Sequence, residues 1–412
     1  SDNDLLLTGS VSGSIDLDIS ANIYNTIHYD YLDIYLARYT QELNNLSCRT
    51  SDSLTLVDFH TSTNGVGNAA WQLNNPINTF YGITLNANDC VENIHILNRN
   101  VTGELPTSIG DLSELEELYL KNNELVGCIP KEIGLLNQLN ILSLAENNIG
   151  GELPDELCNL SNLGLLELSS NDTLHGEIPS CIGAMTALYD IYMEACDLDG
   201  SLPEGFGNLK NVGDLFLRYN DLSGVIPDTI GTMTSLQELL LDGNDLEGAI
   251  PISFTNLLNL SDLWITSNNI DSIPDLSSLP LLTKFYIQNN KVTFDDILPN
   301  MSINDFTYAP QDTAGIAQTV TESAGATATL QLNFDYSVIT STYTWYKDGN
   351  LISTTSTNFL TINNVQTTDA GVYTVEVTNS IATDLTLNTH PITLVVQPST
   401  GCLGSIESDS ID

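Results

Sequence analysis

The chain has 412 residues, of which 53 are acidic and 10 basic, for a net charge of −43. A polyanion of this size is not drawn by charge to nucleic acid or to an anionic membrane, so neutral, cationic or divalent-ion-bridged partners are expected. No run approaches the length of a membrane span, the dispersed acids read as a solvated surface suited to an extracellular protein, and the length leaves room for two or three domains.

Residues 1–27 read as an extended segment that opens Ser1-Asp2-Asn3-Asp4 with no signal-peptide pattern, as in a mature or trimmed form. Residues 28–90 are expected to form an N-terminal cap, with a helix over Tyr31 to Leu43. From residue 91 to 309 one motif recurs. Gly103, Gly127, Gly151, Gly176, Gly200, Gly224 and Gly248 lie 24 or 25 residues apart, and each precedes a proline by three (Pro106 to Pro251). Upstream of each glycine runs Leu-x-x-Leu-x-Leu-x-x-Asn, for example Leu139, Leu142, Leu144 and Asn147; Cys196 replaces the asparagine once. A period in this range means a solenoid whose units are stable only when stacked. Leu-x-Leu predicts a half-buried strand, and the asparagine is expected to satisfy backbone groups inside the turn. The rhythm breaks at Ile273-Pro274, and Val292 to Pro299 reads as a closing segment. Residues 310–398 form a second unit with Trp345-Tyr346-Lys347-Asp348-Gly349 and Asp369-Ala370-Gly371-Val372-Tyr373, and 399–412 a tail.

These patterns resemble plant-type leucine-rich repeats followed by an immunoglobulin-like domain, a combination similar to bacterial, Bacteroidota-like surface proteins and loosely to internalin-type adhesins. Thr63-Asn64-Gly65, Trp71 and Phe80-Tyr81-Gly82-Ile83 are similar to the cap preceding such repeats. The resemblance implies a parallel concave sheet with short convex helices, opened at Ile109, Ile133 and Ile230, plus an all-β sandwich. It makes Trp345 the buried tryptophan and Tyr373 the corner tyrosine. Leu332 and Val375 stand where antibody domains have cysteines, so this sandwich is expected without its bridge. The acidic Ser-Asp opening resembles the signal after the lipidated cysteine of surface lipoproteins, implying an outer-membrane or extracellular setting with a lipid anchor.

Seven cysteines suit an oxidising compartment. Connectivity is not readable from sequence. Cys48 with Cys90 brackets the segment before the repeats, and Cys158 with Cys181 falls at nearly corresponding positions of adjacent repeats. Of the remainder, Cys128 and Cys196 are expected as buried small hydrophobes and Cys402 is left over. The five histidines are scattered, and no nucleophile elbow, His-Glu-x-x-His, phosphate loop or calcium loop occurs, so no catalysis and no cofactor are expected beyond a bound calcium without a motif. Paired acids such as Asp295-Asp296 need a cleft that a solenoid face does not supply.

Aligning the strands predicts two columns on the open face. One runs His95, Tyr119, Ser143, Glu167, Tyr192, Phe216, Leu240, Trp264, Tyr286; beside it runs Asn93, Glu117, Ile141, Leu165, Asp190, Asp214, Glu238, Asp262, Lys284. An aromatic stripe next to an acidic ladder is an interface pattern. The candidate ligand-binding residues are therefore Tyr192, Phe216, Trp264, Tyr286, Asp190, Asp214, Glu238, Asp262 and Arg218, with Arg218 expected to pair with Asp242 or Asp214. The expected function is non-catalytic surface recognition of a protein, peptide or glycan. The alternatives are an accessory subunit gripping a sister protein of an outer-membrane assembly, and a surface-layer unit.

Overall fold

The computed structural model describes residues 15–16, 26–27, 48–67, 71–73, 75–334 and 340–398. The Ser1–Asp4 opening, the helix expected over Tyr31 to Leu43, Cys402 and the 399–412 tail lie outside the described residues.

The repeats form a solenoid with one eleven-stranded sheet on its concave side. Its first strand, Ile83–Leu85, pairs antiparallel with Val91–His95; every later neighbour, to Asp305–Thr307, is parallel. Most strands are three residues long with the middle side chain inward, so Leu118, Leu142, Leu166, Ile191, Leu215, Leu239, Leu263 and Phe285 stack as one buried column. The convex side is built of 3-10 turns from Thr107–Asp111 to Ile252–Asn256, tighter than an α-helix. Each follows the motif proline, whose fixed φ presets the entry. Between sheet and turn, short second strands such as Thr102–Glu104 and Glu124–Val126 pair in parallel. All seven motif glycines have φ between 74° and 85°, a region closed to most side chains, which explains their recurrence.

The asparagines form a ladder. Leu125 N–H donates to Asn147 Oδ1 (3.0 Å), and Asn147 Nδ2 donates to the carbonyls of Leu120 (3.0 Å) and Leu144 (2.9 Å). Asn123, Asn171, Asn220, Asn244, Asn268 and Asn290 repeat the pattern. Cys196 fits because of the one 25-residue spacing. The donor 22 positions upstream, Leu174 N–H, is turned to Asn171 O (2.9 Å) instead, so no side-chain acceptor is required there. The Cys196 thiol still reaches Leu168 O (3.6 Å).

Both ends are closed. Helix Cys48–Ser62 covers the first repeat, tied by the Cys48–Cys90 bridge and by Val91 N–H donating to Asp52 Oδ2 (2.7 Å). Trp71 stacks on Phe80 at 4.9 Å between ring centroids. Cys158 and Cys181 are bridged between adjacent convex turns. Cys128 is exposed and Cys196 half-buried, contrary to the expectation that both are core residues. Cys128 follows the motif glycine on a second strand whose alternate side chains point outward, so its place in the repeat keeps it out of the core.

At the C-terminal end the ladder runs on past the last asparagine. Gln311 Nε2 donates to Ile287 O (3.0 Å), and its Oε1 accepts from Asn290 N–H (3.1 Å). Three residues later Ala314 N–H donates to Asn388 O (2.8 Å) in the sandwich. The sandwich pairs Gln318–Ser323, Ile392–Gln397, Gly371–Asn379, Ser341–Lys347 and Asn350–Thr355 in one sheet and Ala328–Gln331 with Phe359–Ile362 in another. Trp345 is buried, Leu332 and Val375 are buried apolar residues, and Tyr373 Oη donates to Asp369 O (2.6 Å) as a corner tyrosine.

Replacing Asn147 with Leu removes four hydrogen bonds inside the stack and should cost about 3 kcal/mol. Cys196→Asn should change stability by less than about 0.5 kcal/mol, because its amide oxygen finds no free donor. Thermal melts of both variants test this, and a Cys196→Asn gain comparable to the Asn147→Leu loss would contradict the account.

Burial pushes the Asp52 carboxyl up to about 6, with Glu114 adding repulsion and the Val91 N–H opposing both. Ionisation is then harder in the folded chain than in the unfolded one. This group's contribution is fully present below its ordinary value of 3.8 and is lost as pH rises through about 6. Asp52→Asn should melt about 2–4 °C above the parent at pH 7 and level with it at pH 4; the reverse order by calorimetry would refute the sign.

Candidate functional site

The parallel register sets the two predicted columns on the concave face. Asp190, Asp214, Glu238, Asp262 and Lys284 are mutual partners in successive strands, as are Tyr192, Phe216, Leu240, Trp264 and Tyr286. Strand alternation leaves both columns outward, on either side of the buried leucines.

The stripe is less exposed than its outward position suggests. Tyr192, Phe216, Trp264 and Tyr286 are half-buried, while Leu240 and Asp262 are buried. The cause is mutual packing between rungs. Tyr192 meets Phe216 edge-on at 4.9 Å, and Trp264 lies 5.0 Å from Tyr286, centroid to centroid. Leu240 is covered from both sides by larger neighbours.

Three acids of the ladder have partners, Asp190 among them through the Tyr192 hydroxyl and the Asp214 backbone N–H. Asp262 pairs with Lys284 (2.6 Å), and Tyr192 Oη donates to Asp214 Oδ2 (3.0 Å). That bond and burial hold the Tyr192 phenol well above its ordinary value, burial contributing most. Burial, then the Asp214 charge, raises the Asp190 carboxyl. Glu238 is raised by burial and by the charges of Asp214 and Asp262, with Lys284 opposing.

Arg218 does not pair with Asp242 or Asp214. Its Nε bonds to Glu194 Oε2 (2.5 Å), one rung toward the N-terminus in the same column. Its guanidinium carbon lies 5.9 Å from the Trp264 ring and 5.6 Å from that of Tyr219. Arg218 belongs to a third concave column, with Glu194, Asp242, Thr266 and Gln288 on neighbouring rungs. Sequence patterning marks Asp242 only as a possible partner of Arg218 and does not mark Gln288. The signal was present, because the residue after the second strand leucine faces the same way in every repeat.

The concave face is divided electrostatically. Toward the N-terminus its charges are consumed internally: His95 bonds to Glu117 (2.8 Å), Lys121 to Glu167 (2.6 Å), and Ser143 Oγ to the same Glu167 (2.6 Å). Toward the C-terminus the acids outnumber their partners. The aromatic stripe lies in that second half. Among the described residues no group of three or more His, Cys, Asp or Glu side chains is arranged to hold a metal ion. No described helix is long and apolar enough to cross a membrane.

Comparison with known proteins agrees with both domains. Leucine-rich-repeat profiles match residues 114–136, 138–160 and 186–246, and an immunoglobulin-domain profile matches 316–379. No curated protein sequence matches the chain. Among solved structures, the PEPR1–AtPEP1 complex is 25% identical with a TM-score of 0.56, over 66% of this chain and 39% of that one. The plant peptide hormone receptor RGFR1, solved in complex with RGF2, is 28% identical with a TM-score of 0.50, over 59% of this chain and 46% of that one. A plant ice-binding protein, 22% identical with a TM-score of 0.50 over 65% of this chain and 97% of that one, shares the fold alone. The chain thus spans less than half the length of the two receptors. It carries a leucine-rich-repeat solenoid and an immunoglobulin-like domain, and over 59% of its length it is similar in fold to the plant peptide hormone receptor RGFR1.

Proposed function

We propose that this protein is a non-catalytic extracellular recognition protein that binds a peptide or protein along its concave face between the strands of Tyr192 and Tyr286. The observation that carries the reading is the half-buried aromatic row beside acids that the fold leaves incompletely paired. Aromatic side chains with adjacent charges supply much of the affinity of protein interfaces, and a stack of identical turns has no structural need for four large rings on its open side. The similarity to peptide-receptor ectodomains supports the same reading. The Cys48–Cys90 and Cys158–Cys181 bridges support an oxidising, extracellular setting. The immunoglobulin-like domain spaces or braces the repeats. A bacterial surface origin remains part of the proposal through the sequence resemblance.

Phe216→Ala and Trp264→Ala should each weaken ligand binding by about 2 kcal/mol while the protein stays folded, since neither ring is part of the leucine stack. Titration calorimetry with a partner captured from the native surface tests this, and unchanged affinity in both variants would remove the site from this face. Glu238→Gln should raise the melting temperature slightly by relieving repulsion from Asp214 and Asp262, and should make binding less sensitive to salt. A variant that melts lower, or that keeps the full salt dependence, would mean Glu238 serves the fold.

A further inference from the structure

Among the described residues five buried side-chain atoms lack a hydrogen-bond partner. Asp52 Oδ1 and Arg99 Nε belong to the N-terminal end; the other three, Asp242 Oδ1, Trp264 Nε1 and Gln288 Oε1, come from three consecutive rungs of the concave face. Buried polar atoms are nearly always satisfied, so three on neighbouring rungs mark a place where something else supplies the bonds.

The backbone bonds locate them. Tyr219 N–H donates to Asp242 O, Gly243 N–H to Thr266 O, and Ser267 N–H to Gln288 O, which sets Arg218, Asp242, Thr266 and Gln288 on successive rungs. The Trp264 ring comes within 5.9 Å of the Arg218 guanidinium, whose strand is two rungs away. The indole therefore leans across the Asp242 rung. Asp242 is only 4% exposed. Burial raises the Asp242 carboxyl, and its own backbone N–H, the Arg218 charge and the Tyr219 hydroxyl oppose that shift; none of them bonds to the orphaned Oδ1, and Arg218 is held by Glu194.

The chemistry is that of two acceptors, one of them a carboxylate, beside an N–H donor and an aromatic wall. A cationic side chain supplies N–H donors and the missing charge and stacks on an indole. A peptide carbonyl next to it accepts from the indole N–H. A neutral sugar fills the same bonds but brings no charge for Asp242, nor for Asp214 and Glu238, which line the far side of the aromatic stripe two columns from Asp242. Building on the concave face as the ligand site, we propose that Asp242, Trp264 and Gln288 form a subsite for a lysine or arginine side chain of an extended peptide, with Asp242 as counter-ion and Trp264 Nε1 bonded to the peptide backbone.

The probe is an array of immobilised extended nine-residue peptides spanning all residue classes, with a glycan array run in parallel on the same protein. The peptides bound should share a lysine or arginine. Asp242→Asn should weaken the best of them by about tenfold; it removes one of 53 acids, too little to alter diffuse attraction that far. Trp264→Phe, which keeps a ring and loses the N–H, should weaken them about fivefold. Asp242→Asn should also melt at or above the parent, because a buried, incompletely bonded carboxylate is gone. A lower melting temperature would mean that the fold itself satisfies Asp242, and would overturn the subsite. Basic peptides that bind both variants like the parent, bound peptides without a basic residue, no peptide bound at all, or binding of glycans alone would overturn it too. Phe216→Ala separates the two levels. If it still weakens binding while Asp242→Asn does not, the subsite fails and the concave face stands; if neither matters, both fail.

Discussion

A coil of 24 residues that turns back on itself leaves backbone N–H and C=O groups facing inward at every turn, where no water reaches them. The asparagine ladder answers that constraint, and the rest of the molecule depends on it. Each amide accepts from the preceding coil and donates to carbonyls of its own and the preceding coil, so it welds two layers and closes one turn at once. Leucine burial drives the stacking, but it is indifferent to rotation about the stack axis. The ladder fixes that rotation, which puts the strands in register and lines up the columns of the concave face.

That alignment has an electrostatic cost. Identical register brings Asp190, Asp214, Glu238 and Asp262 side by side on neighbouring strands, where like charges repel. The protein relieves the strain locally, with the Tyr192 hydroxyl on Asp214 and Lys284 on Asp262, and leaves it at Glu238. At the other end the same column reads Asn93, Glu117, Ile141 and Leu165, so no two acids are adjacent; Glu117 bonds to His95, and Glu167 of the next column to Lys121. A surface selected for solubility alone would have no reason to treat its two halves differently.

The repeating parts were legible because a period multiplies a weak local signal. One Leu-x-Leu is ambiguous, whereas seven in step with Gly-x-x-Pro admit one architecture. The columns of the open face followed from the same arithmetic. Side-chain partnering did not. Arg218 lies beside Asp242 in sequence register, yet its Nε is taken by Glu194 on the opposite rung, with the Tyr219 and Trp264 rings within 6 Å of the guanidinium. Half-burial of the stripe was equally hidden, because it comes from rings packing between strands and not from any property of one strand. Cys196 shows the converse: a break in the motif that looked like mere tolerance has a cause in the single 25-residue spacing, which redirects Leu174 N–H.

The segment from Pro310 to Ala314 joins the two domains in a way the domain labels obscure. Gln311 and Asp312 still bond to Asn290, in the last repeat, while Ala314 already pairs with the sandwich strand region around Asn388 and His390. One residue, Thr313, separates the two sets of bonds. A tether this short, held at both ends by backbone pairing, transmits torque: turning the sandwich would pull directly on the last rung of the ladder. Tension applied through the C-terminal domain would therefore reach the stack beside Gln288 and Trp264 first, so any load borne by this protein would be felt at its candidate ligand site before its cap.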